Sequence, residues 1–122
     1  MQPETYLVKY HMQQPDHQVA RDVELPTHAE FAENQNGIFR VSFPPEKFSE
    51  IRLVAVSEHV IRGPQEQFSL TFRGSPEVFM PQGTYELFND KLGSFDLFLV
   101  PIGRDADGFS YEAVFNNLRE SG

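Results

Sequence analysis

The chain has 122 residues and no cysteine, and its 18 acidic against 10 basic residues give a formal net charge of −8. This length fits one domain with its own hydrophobic core, and the lack of cysteine excludes disulfides and thiolate metal sites. The acidic balance disfavours nucleic acid and anionic membranes as partners, because both attract basic surfaces. The N-terminus lacks the features of a secretion signal, and no apolar run approaches the roughly 20 residues of a membrane span. We therefore expect a soluble, cytoplasmic protein.

The first part of the chain predicts an N-terminal extension. Residues 5–10 alternate between apolar and polar, which places Tyr6 and Tyr10 on one face of a strand. Residues 19–25 alternate less regularly, because an arginine falls on their apolar face. We expect residues 1–26 to contribute one or two strands outside the main domain.

A capping box predicts the start of a short helix. Thr27 and Glu30 have the spacing at which each side chain bonds the backbone amide of the other. The helix is expected to run over residues 28–34, anchored by Phe31. The Asn-Gly pair at 36–37 is expected to end it, because both residue types tolerate positive φ.

Two strands are predicted next. Residues 38–43 alternate, and the side chains expected to face inward are Phe39, Val41 and Phe43. Two prolines follow at 44–45, and Phe48 is expected to plug the next loop back onto the core. Residues 51–61 form the longest β-rich run and become nearly all apolar in the middle. Such a run is typical of a central strand that is covered on both faces.

The second half of the chain consists of short alternating runs separated by turn-forming residues. The predicted strands are residues 68–73, 78–80, 84–88, 95–101 and 109–115, and 95–101 is expected to be buried on both sides. This spacing predicts an all-β fold, a single antiparallel β-sandwich or flattened barrel of about eight strands with one short helix. The domain is expected to span residues 27–118, followed by a frayed tail at 119–122.

Glycine, proline and aspartate punctuate these strands as structural turns. The residues assigned to turns are Gly74, Pro81, Gly83, Gly93, Asp107 and Gly108. Pro81 presets φ for its turn, and Gly83 is expected to take a conformation closed to other residues. A β-branched residue at Gly83 is therefore expected to destabilise the domain.

The D-x-D-G sequence at 105–108 begins like a calcium loop. Counted from Asp105, the twelfth position is Asn116, which cannot supply the bidentate carboxylate that such a loop needs. Asp-Gly is also the pair that a tight hairpin favours. We therefore interpret Asp107 and Gly108 as the turn of a hairpin.

No other motif indicates a metal or a cofactor. The four histidines lack the spacing of zinc ligands and are interpreted as scattered surface residues, His11, His17, His28 and His59. We expect no cofactor.

Four carboxylates offer the material for acid–base chemistry if the fold brings them together, Glu58, Glu86, Asp96 and Glu112. The last three alternate with large apolar residues, which favours the solvated face of a sheet. Arg40 and Arg73 are positioned to pair with them across strands.

The second half of the chain contains five distinctive motifs, FSLTFRG at 68–74, PQGTY at 81–85, LG at 92–93, LFLVPIG at 97–103 and YEAVFN at 111–116. Together they resemble a bacterial family of small all-β domains with no assigned function. The resemblance covers residues 31–116. It implies genes neighbouring those of phage tail-collar or short-fibre-like proteins, hence a structural role and incorporation into a particle or fibre. It supplies no catalytic residue.

The expected function is a non-enzymatic structural or interaction protein, such as an accessory of a phage tail- or fibre-like assembly. Its partner is expected to be a tail-collar or fibre-like protein, or a second copy of the chain. Residues 1–25, with Tyr6 and Tyr10 as candidate contact anchors, are expected either to mediate contact with another subunit or to cover a sheet edge of their own domain. The alternatives are a small carbohydrate- or ligand-binding β-sandwich and, third, a hydrolase built on a carboxylate pair.

Overall fold

The computed structural model describes residues 25–43 and 47–118. The elements in chain order are α1 (His28–Glu33), β1 (Ile38–Phe43), β2 (Lys47–Val56), β3 (Val60–Arg62), β4 (Gln65–Gly74), β5 (Gly83–Asn89), β6 (Gly93–Asp105) and β7 (Gly108–Leu118). The predicted strands at 5–10 and 19–25 and the tail at 119–122 lie outside the described residues, apart from Leu25, which is not in a strand. No helix among the described residues has the length and apolar character needed to cross a membrane.

All seven described strands form one antiparallel sheet in the order β2-β1-β5-β6-β7-β4-β3. β2 also pairs with β4, so six of the strands close into a barrel. β3 pairs with residues 65–67 of β4, and β2 pairs with residues 70–74 of the same strand. The all-β prediction with one short helix is confirmed, and of the two architectures that the sequence left open the structure is the barrel.

The core fills the barrel interior with alternate residues of its strands, together with Phe31 from α1 and Met80 from the segment before β5. The fully buried large side chains are Tyr111, Phe31, Phe39, Phe72, Phe115, Ile51, Leu53, Leu70, Met80, Leu87, Leu97 and Leu99. Successive residues of a strand point to opposite faces, so the residues between these lie on the outer surface. In β6, however, Phe98 is buried as well as Leu97 and Leu99, and the predicted burial of that strand on both sides is confirmed there.

Helix α1 begins as the capping box predicts. The Glu30 amide donates to Thr27 Oγ1 at 3.1 Å, and the Thr27 amide donates to Glu30 Oε1 at 2.9 Å. Phe31 has no exposed surface and contacts the rings of three other buried phenylalanines, which belong to β4, β6 and β7. We call Phe31, Phe68, Phe95 and Phe115 the helix cluster. Asn36 has φ 74°, so the predicted positive φ after the helix is confirmed.

Two of the predicted strands were wrong. Residues 51–61 do not form one strand, because β2 ends at Val56 and β3 begins at Val60. Nor is the run covered on both faces, since Ala55 is exposed on the single-layered wall of the barrel. Residues 78–80 form no strand either, and the Met80 amide donates to Tyr111 Oη at 3.0 Å.

Candidate binding groove

An open groove of about 870 Å³ lies on the outer face of β1, β2 and the end of β4. We call it the arginine groove and define it by six of its lining residues, Ile38, Arg40, Phe48, Glu50, Arg52 and Arg73. Asp107 and the backbone around Gly74 also line it. The groove combines three cations with exposed apolar side chains on a protein that is acidic as a whole.

Strand alternation places these side chains outward. In β1, the buried Phe39 separates Ile38 from Arg40, and in β2 the buried Ile51 separates Glu50 from Arg52. Ile38 lies opposite Arg52, and Arg40 lies opposite Glu50, so both pairs share the outer face. The wall of the groove therefore follows from the period of two in β1 and β2.

Phe48 corrects an expectation. It was predicted to plug a loop onto the core, but it lies in β2 and is 65% exposed. Its position has the same parity as Glu50 and Arg52, which fixes it on the outer face. Ile38, at 42% exposure, lies on the neighbouring strand.

The arginines are unequally paired. Arg73 donates to Asp105 Oδ1 at 2.7 Å and to Ser110 Oγ at 3.0 Å. Arg52 donates to the backbone carbonyl of Asn36 at 2.7 Å. Arg40 lies over the ring of Phe88, 5.6 Å from its centroid. Of the three groove arginines, only Arg73 forms an ion pair with a described carboxylate, and it is with Asp105 rather than with the carboxylates predicted from the sequence.

The hairpin between β6 and β7 supports this ion pair. Asp105 Oδ1 also accepts from the amides of Asp107 and Gly108, at 2.9 and 3.2 Å. The hydrogen bond from Arg73, followed by the Asp107 amide, lowers the pKa of the Asp105 carboxyl. The same Asp105 hydrogen bond raises the pKa of Arg73, so both groups stay charged across the neutral range.

The hairpin confirms the interpretation of residues 105–108 as a turn, with Asp107 in the turn and Gly108 starting β7. Gly108 has φ 151°, and a Cβ there would overlap the Gly74 carbonyl oxygen. Gly74 itself is the last residue of β4, and a Cβ on it would press on Ile51 Cγ2 at 3.1 Å. These two glycines bring the hairpin against the rim of the groove.

The turn around Gly83 was predicted wrongly. Gly83 is the first residue of β5, opposite Leu99, and its φ is not in the positive range. A Cβ on Gly83 would meet its nearest neighbours at 3.9 Å, which is ordinary contact. The hydroxyl of Tyr85 donates to the Pro81 carbonyl and holds the turn instead. Gly93, with φ 82°, does require the freedom of glycine.

Two histidines meet, which corrects their interpretation as scattered residues. The rings of His28 in α1 and His59 before β3 stack with centroids 4.6 Å apart, and both contact Phe68 edge-on. His28 Nε2 is 2.9 Å from the Ser57 carbonyl, and His59 Nε2 is 2.6 Å from Glu66 Oε2. His11 and His17 lie outside the described residues, as do Tyr6 and Tyr10. The described part of the chain holds no group of three or more His, Asp or Glu arranged for a metal.

The four candidate carboxylates do not converge. Glu86 and Asp96 lie directly opposite each other on β5 and β6, and both are exposed. Glu58 and Glu112 line a separate cavity of about 250 Å³ beside β3. The four carboxylates therefore lie in two separate places, and the fold does not bring all of them to one site.

Sequence reasoning missed Arg52 and misjudged Phe48. Both follow from the parity of β2, once Ile51 and Leu53 are recognised as its buried residues. The predicted strand began at residue 51 and was expected to be covered on both faces, so Phe48 was left outside it and Arg52 was given no solvent-facing position.

A family model described as a domain of unknown function (DUF6916) matches residues 26–115. The match contains every residue that defines the arginine groove. No curated protein and no solved structure matches the chain.

Proposed function

The chain belongs to the family described as a domain of unknown function (DUF6916), and we propose that it is a non-enzymatic interaction protein that holds a protein partner in the arginine groove. The observation that carries the proposal is the exposure of Phe48, at 65%, beside the arginines. Aromatic side chains and arginine are the residue types most enriched at the energetic centres of protein interfaces.

The distribution of exposed apolar residues supports this surface over others. Three of the six large apolar side chains that are exposed in the described residues lie on neighbouring strands, Phe48 on β2, Ile38 on β1 and Phe88 on β5. Single exposed apolar residues are ordinary, whereas a cluster indicates a contact surface. Their neighbours are the arginines of the groove, which supply the polar part of an interface.

The resemblance implies a more specific role within the same proposal. The partner would then be a tail-collar or fibre-like protein, and the domain an accessory of that assembly. The ligand-binding alternative uses the same groove and predicts a small molecule, such as a sugar stacked on Phe48, in place of a protein.

Photo-crosslinking in the native host tests the proposal. A benzoylphenylalanine replaces Phe48 in one full-length variant and Ile61 in the control, because Ile61 is 47% exposed on β3, away from the groove. We expect a discrete protein adduct at position 48 that is absent at position 61, and mass spectrometry identifies it. Equal adducts at both positions, or none at 48, contradict the proposal. A sugar that binds the wild-type protein but not Phe48→Ser supports the ligand-binding alternative.

A further inference from the structure

We propose that the partner segment held in the arginine groove is acidic, and that Arg52 together with Arg73 binds its carboxylates. This inference rests on the proposed function and names the chemistry of the partner. Its basis is the position of two arginines on neighbouring strands, of which only Arg73 has a carboxylate partner among the described residues.

Arg52 and Arg73 lie directly opposite each other on β2 and β4. Like charges at directly opposite positions destabilise a sheet. Arg73 is held by Asp105 and Ser110, both on the side of β6 and β7. Arg52 donates only to a neutral backbone carbonyl, and no described carboxylate pairs with it. A local conflict of this kind is typical of a functional site, where a ligand supplies the missing counter-charge.

The other groove charges limit the ligand to a few negative groups. Arg40 adds a third cation, which stacks on Phe88 and forms no ion pair among the described residues. Glu50 and Asp107 also line the groove, and Asp105 pairs with Arg73 from outside the lining, so three carboxylates accompany the three cations. This balance suits a segment with a few spaced carboxylates and not a polyanion.

A polypeptide fits these features better than a nucleic acid. The chain carries a net charge of −8, which repels a phosphate backbone at long range. The guanidinium group presents a planar fork that matches a carboxylate with two parallel hydrogen bonds. Phe48 and Ile38 add apolar contact surface beside the arginines, which suits apolar side chains alternating with acidic ones.

The test is a titration of the full-length, ¹⁵N-labelled protein followed by amide chemical shifts. The probe is a short soluble peptide of Glu and Leu in a Ser–Gly background, and its matched control carries Gln in place of Glu. We expect shifts confined to the groove, stronger binding of the Glu peptide, and weakening at high salt. Arg52→Gln is expected to lower the affinity about tenfold, the usual effect of losing a charge-assisted hydrogen bond.

Arg62→Gln is the matched variant, because it removes the same charge from exposed β3 outside the groove. It is expected to leave the affinity within about twofold of the wild type, since distant surface charges are screened. The amide spectrum of each variant verifies that it is folded.

The outcomes separate the two proposals. Absence of shifts with the Glu peptide, equal binding of the Gln peptide, or equal loss in both arginine variants overturns the acidic partner. A single-stranded oligonucleotide that binds the groove more tightly than the peptide also overturns it. The crosslink at position 48 is independent of these results, so a specific adduct there sustains the proposed function even if the acidic inference fails.

Discussion

The helix cluster and the arginine groove use phenylalanine in opposite ways. Phe31 lies in the capped helix α1 and has no exposed surface. Phe48 was predicted to lie in a loop, but it lies in β2 and is 65% exposed. Phe31 was expected to anchor the short helix, and Phe48 was expected to plug a loop back onto the core. The difference lies in their neighbours, because Phe31 meets three inward-facing rings and Phe48 lies on the outer face of a strand. One region is built for stability, and the other leaves contact surface free.

Phe31→Ala tests the helix cluster and has the largest expected effect. Loss of a fully buried phenylalanine is expected to lower the free energy of unfolding by about 3–5 kcal/mol. Phe48→Ala, the matched substitution in the groove, is expected to stay within about 0.5 kcal/mol of the wild type. Denaturant unfolding monitored by circular dichroism measures both. If the two substitutions cost the same, the comparison between the regions fails.

Gly108→Ala tests the backbone contact that borders the groove. The added Cβ would overlap the Gly74 carbonyl oxygen, so the hairpin must move, at a cost of about 1–3 kcal/mol or more. Gly83→Ala is the control, because its Cβ meets only ordinary contacts and is expected to change stability by less than about 1 kcal/mol. The same unfolding curves measure both variants. If Gly83→Ala lowered the free energy of unfolding more than Gly108→Ala, Gly83 would hold the glycine-specific conformation that the sequence predicted for it.

Local signals predicted much of the fold from the sequence. The capping box located α1, because both of its hydrogen bonds form between residues three apart. Asp-Gly located the hairpin of β6 and β7, because its turn chemistry needs no distant partner. The error at Gly83 arose because glycine permits a positive φ without requiring it. The conformation of Gly83 follows instead from pairing with the neighbouring strand, here with Leu99 on β6, and from the Tyr85 hydrogen bond to Pro81.

The candidate site was harder to predict, because it depends on which strands become neighbours. Arg52 and Arg73 are distant in sequence, and their opposition appears only when β2 pairs with β4 to close the barrel. The same holds for His28 and His59, which stack across α1 and the loop before β3. A sequence pattern gives the face of a residue on its own strand. It does not give the residue opposite.

Thr27→Ala sharpens the description of the helix cluster, because it removes the cap and leaves every buried ring in place. The loss of the hydrogen bond from the Glu30 amide is expected to cost about 1 kcal/mol. Thr27→Ser keeps the acceptor oxygen and is expected to lie within about 0.5 kcal/mol of the wild type. Thermal unfolding at neutral pH measures both variants. Equal stability of Ala and Ser at this position would mean that Phe31 alone holds the helix.

Asp105→Asn has the smallest expected effect and tests whether the ion pair between Arg73 and Asp105 stabilises the barrel beside the groove. Arg73 lowers the pKa of Asp105, so the folded state favours the carboxylate. A depressed pKa contributes stability that is present above the unfolded value of about 3.9 and is lost as the pH falls through the folded value. The asparagine retains an oxygen for the turn amides but not the charge. The wild type is therefore expected to unfold at slightly higher temperature at pH 7, with the difference shrinking below a pH of about 4.

Asp90→Asn, in the turn before β6, removes a carboxylate that makes no ion pair among the described residues and is the control. A difference between wild type and Asp105→Asn that stays constant down to acid pH would assign the role of Asp105 to turn geometry alone.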